Sequence, residues 1–218
     1  MNFTTVIFDF GYVLSLPPRA LDYQNLAALA GIESKSFEGV YWGERADYDR
    51  GIIDGPAYWR RVAEAAKKEI TPGQIECLIA VDVALWMRAN PVMLEWVRAL
   101  KTHGLKIAVL SNMPIEISTH MRHHASWFKE FDYVCFSAEV HLAKPEAAIF
   151  QTCLDVVRSK PPECLFIDDR AENVEAARAL GMQALHFTSV RDLAVAVEPL
   201  GLPPVASSPP AASSNFPM

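Results

Sequence analysis

Thr5-Val6-Ile7-Phe8-Asp9-Phe10-Gly11-Tyr12-Val13-Leu14 is the stretch that decides the fold. Its opening residues are β-prone and apolar without alternation, the pattern of a strand buried on both faces. Asp9 ends that run, and a buried charge must be paired or bound to a metal. In open α/β sheets ligands gather just beyond the carboxyl ends of the strands. Asp9 therefore stands where a site is expected.

Working outward, Ser15-Leu16-Pro17-Pro18 breaks the chain, and residues 19–88 then read as almost purely helical. Ala20 to Ala30 is a helix stopped by Gly31. Asp54-Gly55-Pro56, Thr71-Pro72 and Asn90-Pro91 each join a capping residue to a nearby proline, a helix start. From Gly104 onward strands and helices alternate. Strands are expected at Lys106–Leu110, Tyr133–Phe136, Cys164–Ile167 and Gln183–Phe187, with helices from about Pro114, over Glu146–Arg158 and over Ala171–Leu180. Continuous apolar strands separated by helices predict a parallel sheet covered on both faces.

The expected division is an α/β core over 1–18 and 89–202, with residues 19–88 inserted after the first strand as a helical cap over the site. Residues 203–218 are rich in Pro, Ser and Ala and carry no charged side chain. Such a segment buries too little to offset its ordering entropy, so disorder is expected there.

The 218 residues are 51% hydrophobic and 21% charged, within the range of globular domains. The net charge of −6, with no basic block, argues against nucleic acid as a partner. No apolar run approaches the ~20 residues that span a bilayer, and Met1-Asn2-Phe3-Thr4 has no basic segment of a secretory signal. Cys77, Cys135, Cys153 and Cys164 form no Cys-x-x-Cys pair and read as reduced thiols. Cytoplasmic residence is the expectation.

Polar groups recur at equivalent strand ends: Asp9, Ser111 and the Asp168-Asp169 pair, with Lys144 between the last two. Clustered carboxylates repel, and a divalent cation relieves them. An all-oxygen set without Cys or His favours Mg²⁺, which also accepts a phosphate oxygen. Lys144 would balance the remaining charge, and Ser111 with the next backbone N–H would hold a phosphoryl group at a helix start. The sum is a site for a small phosphorylated substrate, with Asp9 as nucleophile forming an aspartyl-phosphate.

Phe8-Asp9-Phe10-Gly11-Tyr12-Val13-Leu14, Leu110-Ser111-Asn112, Lys144-Pro145-Glu146 and Phe166-Ile167-Asp168-Asp169-Arg170-Ala171-Glu172-Asn173 resemble, in order, the four motifs of the haloacid dehalogenase superfamily. The resemblance spans residues 5 to about 187. It is greatest to phosphatases of sugar phosphates such as glucose 1-phosphate and to the phosphatase domain of some epoxide hydrolases. It implies a Rossmann-like core with a small helical cap, to which Asp49-Arg50-Gly51-Ile52-Ile53 and Tyr58-Trp59 are similar. It further implies Asp9 as nucleophile and metal ligand, and Gly11 as a ligand through its carbonyl. Ser111 and Asn112 would bind phosphate, Lys144 neutralise charge, Asp169 ligate the metal, and Asp168 and Asn173 support these from behind.

Position 11 departs from the pattern. Most family phosphatases carry there an aspartate that acts as general acid and base, help typically worth ~10²–10⁴-fold. Gly11 keeps a carbonyl but supplies no proton, so substrates whose leaving group departs unprotonated are expected: anomeric, acyl or aryl phosphates. Tyr12 is the nearest substitute donor, though an ordinary phenol with a pKa of ~10 is a poor base. Gly11 also fits two other readings: a hydrolytic dehalogenase, and an impaired protein that binds phosphorylated ligands. The Asp168-Asp169 pair speaks against the dehalogenase, whose metal-free site has no use for clustered carboxylates. His120, His123 and His124 read as a polar helix face rather than a zinc site, and Trp42, Trp59 and Trp86 mainly as packing between cap helices.

Overall fold

Five strands form one parallel sheet in the order β3-β2-β1-β4-β5: β1 Thr5–Phe8, β2 Lys106–Ser111, β3 Tyr133–Phe136, β4 Cys164–Asp168 and β5 Gln183–His186. This computed structural model describes residues 3–206. The side-chain period of two sorts each strand between two cores. Val6, Phe8, Ile107, Val109, Leu165 and Ile167 face one way, into the larger cluster that includes Trp96. Ile7, Ala108, Leu110 and Phe166 face the other way, against Ile149, Phe150 and Val174. At roughly 1.5–3 kcal/mol per fully buried large apolar side chain, these two layers hold the sheet.

Helices supply both layers. Those of the core are α6 Pro91–Thr102, α7 Ile115–His124, α8 Ser137–Val140, α9 Ala147–Val157, α10 Ala171–Ala179 and α11 Val190–Val197. Between β1 and α6 lie five more: α1 Ala20–Ala30, α2 Ser34–Gly43, α3 Arg45–Asp49, α4 Gly55–Ala65 and α5 Pro72–Trp86. Their starts follow the capping logic. The Asp54 carboxylate accepts from Ala57 N at 2.8 Å, Thr71 and Gln74 cap each other reciprocally, and Asn90 Oδ1 accepts from Val92 N at 3.2 Å. Gly31, at φ 68°, closes α1 in the left-handed region. None of the described helices is long and apolar enough to cross a membrane.

The chain leaves the core for this helical insert and returns beside itself. Leu16 N donates to Arg88 O at 2.7 Å and Asn90 N to Leu14 O at 2.7 Å, an antiparallel pairing centred on Ser15 and Ala89. The insert packs its own aromatic layer of Phe37, Tyr41, Tyr58 and Trp59, all fully buried, onto the larger core cluster.

The start of the expected disordered tail is corrected. Trp96 brings a buried indole N–H that needs an acceptor, and Pro203 O takes it at 2.8 Å. Val205 is buried as well, so Pro203 and Val205 are packed while Pro204 is exposed. The rest of that segment, 207–218, lies outside the described residues.

Candidate active site

Strand register brings the acidic side chains together. Phe8 is level with Ile167 on β4, so Asp9 and Asp168 leave adjacent strands side by side, and Asp9 N donates to Ile167 O at 2.8 Å. Asp169 follows directly. Asp9, Asp168 and Asp169 each offer an oxygen within 4.8 Å of the others. Phe8 is level with Val109 on the opposite neighbour, which places Ser111 two residues further along at the same end.

Lys144 is the one cation in the middle. Its Nζ lies 2.8 Å from Asp9 Oδ1 and 2.6 Å from Asp168 Oδ2, with the ammonium almost fully buried. Burial alone lowers a lysine pKa, but Asp168 and Asp9 outweigh it and hold Lys144 above the ordinary value. Asp168 is saturated: besides Lys144 it accepts from Arg170 N at 2.8 Å and from Asn173 Nδ2 at 3.0 and 3.1 Å. Asp168 thus holds Lys144, and Asn173, at the cavity wall, holds Asp168.

Asp9 and Asp169 remain under-compensated. Burial pushes the Asp9 carboxyl up; Lys144 pulls it down, Asp168 pushes it up again, and a hydrogen bond from Ser111 lowers it. Asp169 is raised to about 7, first by burial and then by Asp9 and Asp168. Three carboxylates face one ammonium, an excess of two negative charges. The donor set is all oxygen and closely spaced, which fits Mg²⁺.

Asn112 bonds through its side chain to the main chain of Lys144. Its Nδ2 donates to Lys144 O at 2.9 Å and its Oδ1 accepts from Lys144 N at 2.8 Å. The side chain clamps the main chain of Lys144, so a contact of Asn112 with an anion would fall to its backbone.

Around position 11 the chain makes a tight turn. Gly11 has φ −59°, ψ 132°, and Tyr12 has φ 59°, ψ −17°, close to a type II turn with a non-glycine residue in its left-handed position. Ser15 N closes the loop on Phe10 O at 2.9 Å, and Tyr12 N donates to Ser15 Oγ at 3.1 Å. The Tyr12 hydroxyl lies 3.4 Å from the Tyr23 hydroxyl in the insert. Tyr12 also lines the cavity beside Gly11.

These groups open into a cavity of about 790 Å³ whose other wall is the insert, including Trp42, Arg45, Asp49, Arg50 and Trp86. Sequence reasoning assigned the three tryptophans mainly to packing. That holds for Trp59, which is fully buried, whereas Trp42 and Trp86 line the cavity. Helical periodicity carries no signal that separates them. His120 and His124 stack on α7 with ring centroids 4.3 Å apart, and no metal cluster among the described residues includes them.

Arg45 was also missed. It is buried, with Nε 2.7 Å from Asp49 Oδ1 and Nη1 3.0 Å from Asp82 Oδ2. Nη1 also donates to the Tyr41 hydroxyl at 2.7 Å, which donates to Asp82 Oδ1 at 2.6 Å. Its guanidinium lies 5.1 Å from the ring centres of both Tyr41 and Tyr48.

A family profile described as haloacid dehalogenase-like hydrolase matches residues 4–181. The sesquiterpene phosphatase astK of Aspergillus oryzae is 32% identical over 190 residues, covering 86% of this chain and 91% of that protein. Mouse acyl-CoA dehydrogenase family member 10 is 27% identical over 208 residues; the match takes in 88% of this chain but about a fifth (19%) of that longer protein. Among solved structures, a HAD family enzyme from Bacteroides thetaiotaomicron in complex with magnesium and inorganic phosphate superposes with a TM-score of 0.70 at 21% identity. It covers 85% of this chain and 94% of its own. An L-2-haloacid dehalogenase from Xanthobacter autotrophicus gives 0.65 at 17% identity, with coverage of 93% and 85%.

Proposed function

The chain belongs to the haloacid dehalogenase-like hydrolases, and from that premise we propose a Mg²⁺-dependent phosphatase of small phosphate monoesters that works through Asp9. One observation carries the reading: three carboxylates gather with oxygens within 4.8 Å of one another while Lys144 pairs with two of them, leaving an excess of negative charge that a divalent cation would offset. Asp9, Asp169 and the Gly11 carbonyl would hold the ion. When bound, it neutralises the charge of the phosphoryl group as Asp9 approaches.

The remaining chemistry belongs to the chain. An Asp9 oxygen attacks phosphorus, the ester P–O bond breaks, and the leaving group departs with its electron pair. Water then attacks the phosphorus of the acyl phosphate and returns Asp9 and inorganic phosphate. Lys144, 2.8 Å from Asp9, favours its ionised form against the effect of burial, and Ser111 stands beside it as a hydrogen-bond donor. Position 11 lends no proton, so leaving groups stable as anions are favoured. The likeness to a sesquiterpene phosphatase supports phosphate-ester chemistry.

The test is phosphate release from p-nitrophenyl phosphate with Mg²⁺. Turnover is expected to stop with EDTA and to fall by roughly 10⁴-fold or more in Asp9→Asn, and to exceed that of glycerol 1-phosphate by about 10² or more. Phosphate release that persists in Asp9→Asn refutes the mechanism. Chloride release from 2-chloropropionate, indifferent to EDTA, would instead establish the dehalogenase.

A further inference from the structure

Resting on the phosphatase reading for its substrate, but not for its test, the geometry points to an apolar, preferably aromatic, organic group on the phosphate, held by Trp42 and Trp86. A Cβ built on Gly11 would lie 3.7 Å from the Trp86 ring and 3.9 Å from Asp9 Oδ2. The side of Gly11 on which a side chain would grow is therefore bordered by the nucleophile and an indole edge. An aspartate there would set a second carboxylate between a hydrocarbon surface and an existing negative charge. Where relatives of the resembled pattern place a proton donor, this chain presents a ring.

That ring is held in place from behind. Trp86 Nε1 lies 3.4 Å from the Tyr41 hydroxyl, which belongs to the Arg45–Asp82 cluster. The polar end of the indole is tied into the insert and the opposite edge faces Gly11. Trp86 packs edge-on against Trp42 at 6.0 Å and against Tyr12 at 5.8 Å, so three rings make one continuous wall. Trp42 lines the cavity and remains 40% exposed, with Tyr41 packed edge-on at 5.0 Å and the Arg45 guanidinium 5.9 Å from its ring centre.

The charged side chains of the insert that share the cavity are already partnered: Arg45 with Asp49 and Asp82, Arg50 with Glu146, and Asp47 with Arg61. To recognise hydroxyls, the insert would have to draw on charged groups already engaged in these pairs. To recognise a ring or a hydrocarbon, it only has to give up water from Trp42. A cavity of about 790 Å³ leaves room for such a group beyond the phosphate.

The test is binding, not turnover. Dissociation constants for benzylphosphonate and 2-hydroxyethylphosphonate are measured by calorimetry on the full chain with Mg²⁺. Benzylphosphonate is expected to bind at least tenfold more tightly, on the scale of aromatic contact plus apolar burial. Trp42→Ala, at a half-exposed position, is expected to shrink that ratio several-fold, and Trp86→Phe, which keeps the ring and loses the hydrogen bond to Tyr41, to shrink it less. Equal binding of the two phosphonates, a preference for the hydroxyethyl compound, or an unchanged ratio in Trp42→Ala overturns the proposal. Failure of the phosphatase reading shows separately, as absent turnover of p-nitrophenyl phosphate, and leaves the binding ratio measurable.

Discussion

Two buried clusters of charge flank the cavity, one at the strand ends and one in the insert. At the strand ends Asp9, Asp168 and Asp169 gather, and Lys144 pairs with the first two. In the insert Asp49 and Asp82 surround Arg45. Both combine carboxylates with a single cation in a place where unpaired charge is expensive. They differ in closure. Arg45 spreads its donors over two carboxylates and a phenol, and the Tyr41 hydroxyl links back to Asp82, so each partner meets another within the protein. Lys144 is consumed by Asp9 and Asp168, and Asp169 is left with a carboxyl raised to about 7. A self-contained cluster serves the fold. One that stays short of two positive charges is built for something that arrives from outside.

The comparison breaks most sharply if the two cations prove interchangeable. Arg45→Met leaves Asp82 buried without its partner, and a loss of about 3–5 kcal/mol is expected. Chemical denaturation should show this loss equally with and without Mg²⁺. If Mg²⁺ restored that stability, the insert cluster would be part of the ion's site and the distinction would fail.

A smaller effect concerns pH. Burial, against the pull of Arg45, raises Asp49 to about 6, above the ~3.9 of an unfolded chain. The folded protein then holds this proton more tightly than the unfolded chain does. Its contribution is complete below about pH 4 and is lost as pH rises through about 6, about 3 kcal/mol in all. Denaturation midpoints for the protein and for Asp49→Asn, followed from pH 4 to 7, should diverge with that sign; parallel curves would refute it.

The smallest and most telling effect is expected at Asp169→Asn. Removing one of three crowded carboxylates should raise the stability of the metal-free protein by about 1 kcal/mol, a figure reduced for a group that water partly screens. The same substitution should abolish the thermal shift produced by Mg²⁺. A substitution that stabilises while disarming has no counterpart in the insert cluster. A fall in metal-free stability would show that the site is balanced without an ion.

Much of this arrangement was legible beforehand because it rests on local rules. β1 is an unbroken apolar run, and the helix starts at Asp54, Thr71 and Asn90 are written in capping side chains next to proline. The convergence of Asp9 with Asp168 and Asp169 follows once the strands are parallel, since the register fixes the rest. What could not be read depends on approach between distant segments. Asn112 looks free to bind an anion until Lys144 folds against it. Trp59 and Trp86 are alike in type and in helical context, yet only Trp86 reaches Gly11. Arg45 sits in an undistinguished run of charged residues whose partner Asp82 lies on another helix. Pro203 and Val205 look like the start of a solvated tail, and only the unmet indole N–H of Trp96 explains why they pack.

The hydrogen bonds between Leu16 and Arg88 and between Asn90 and Leu14 have one further effect. Because departure and return run alongside each other, the sheet experiences the whole excursion as if it were a short hairpin. The entropic cost of a longer detour grows only with the logarithm of its length. Everything between those two rungs can therefore be exchanged while the sheet beneath inherits no change in connectivity.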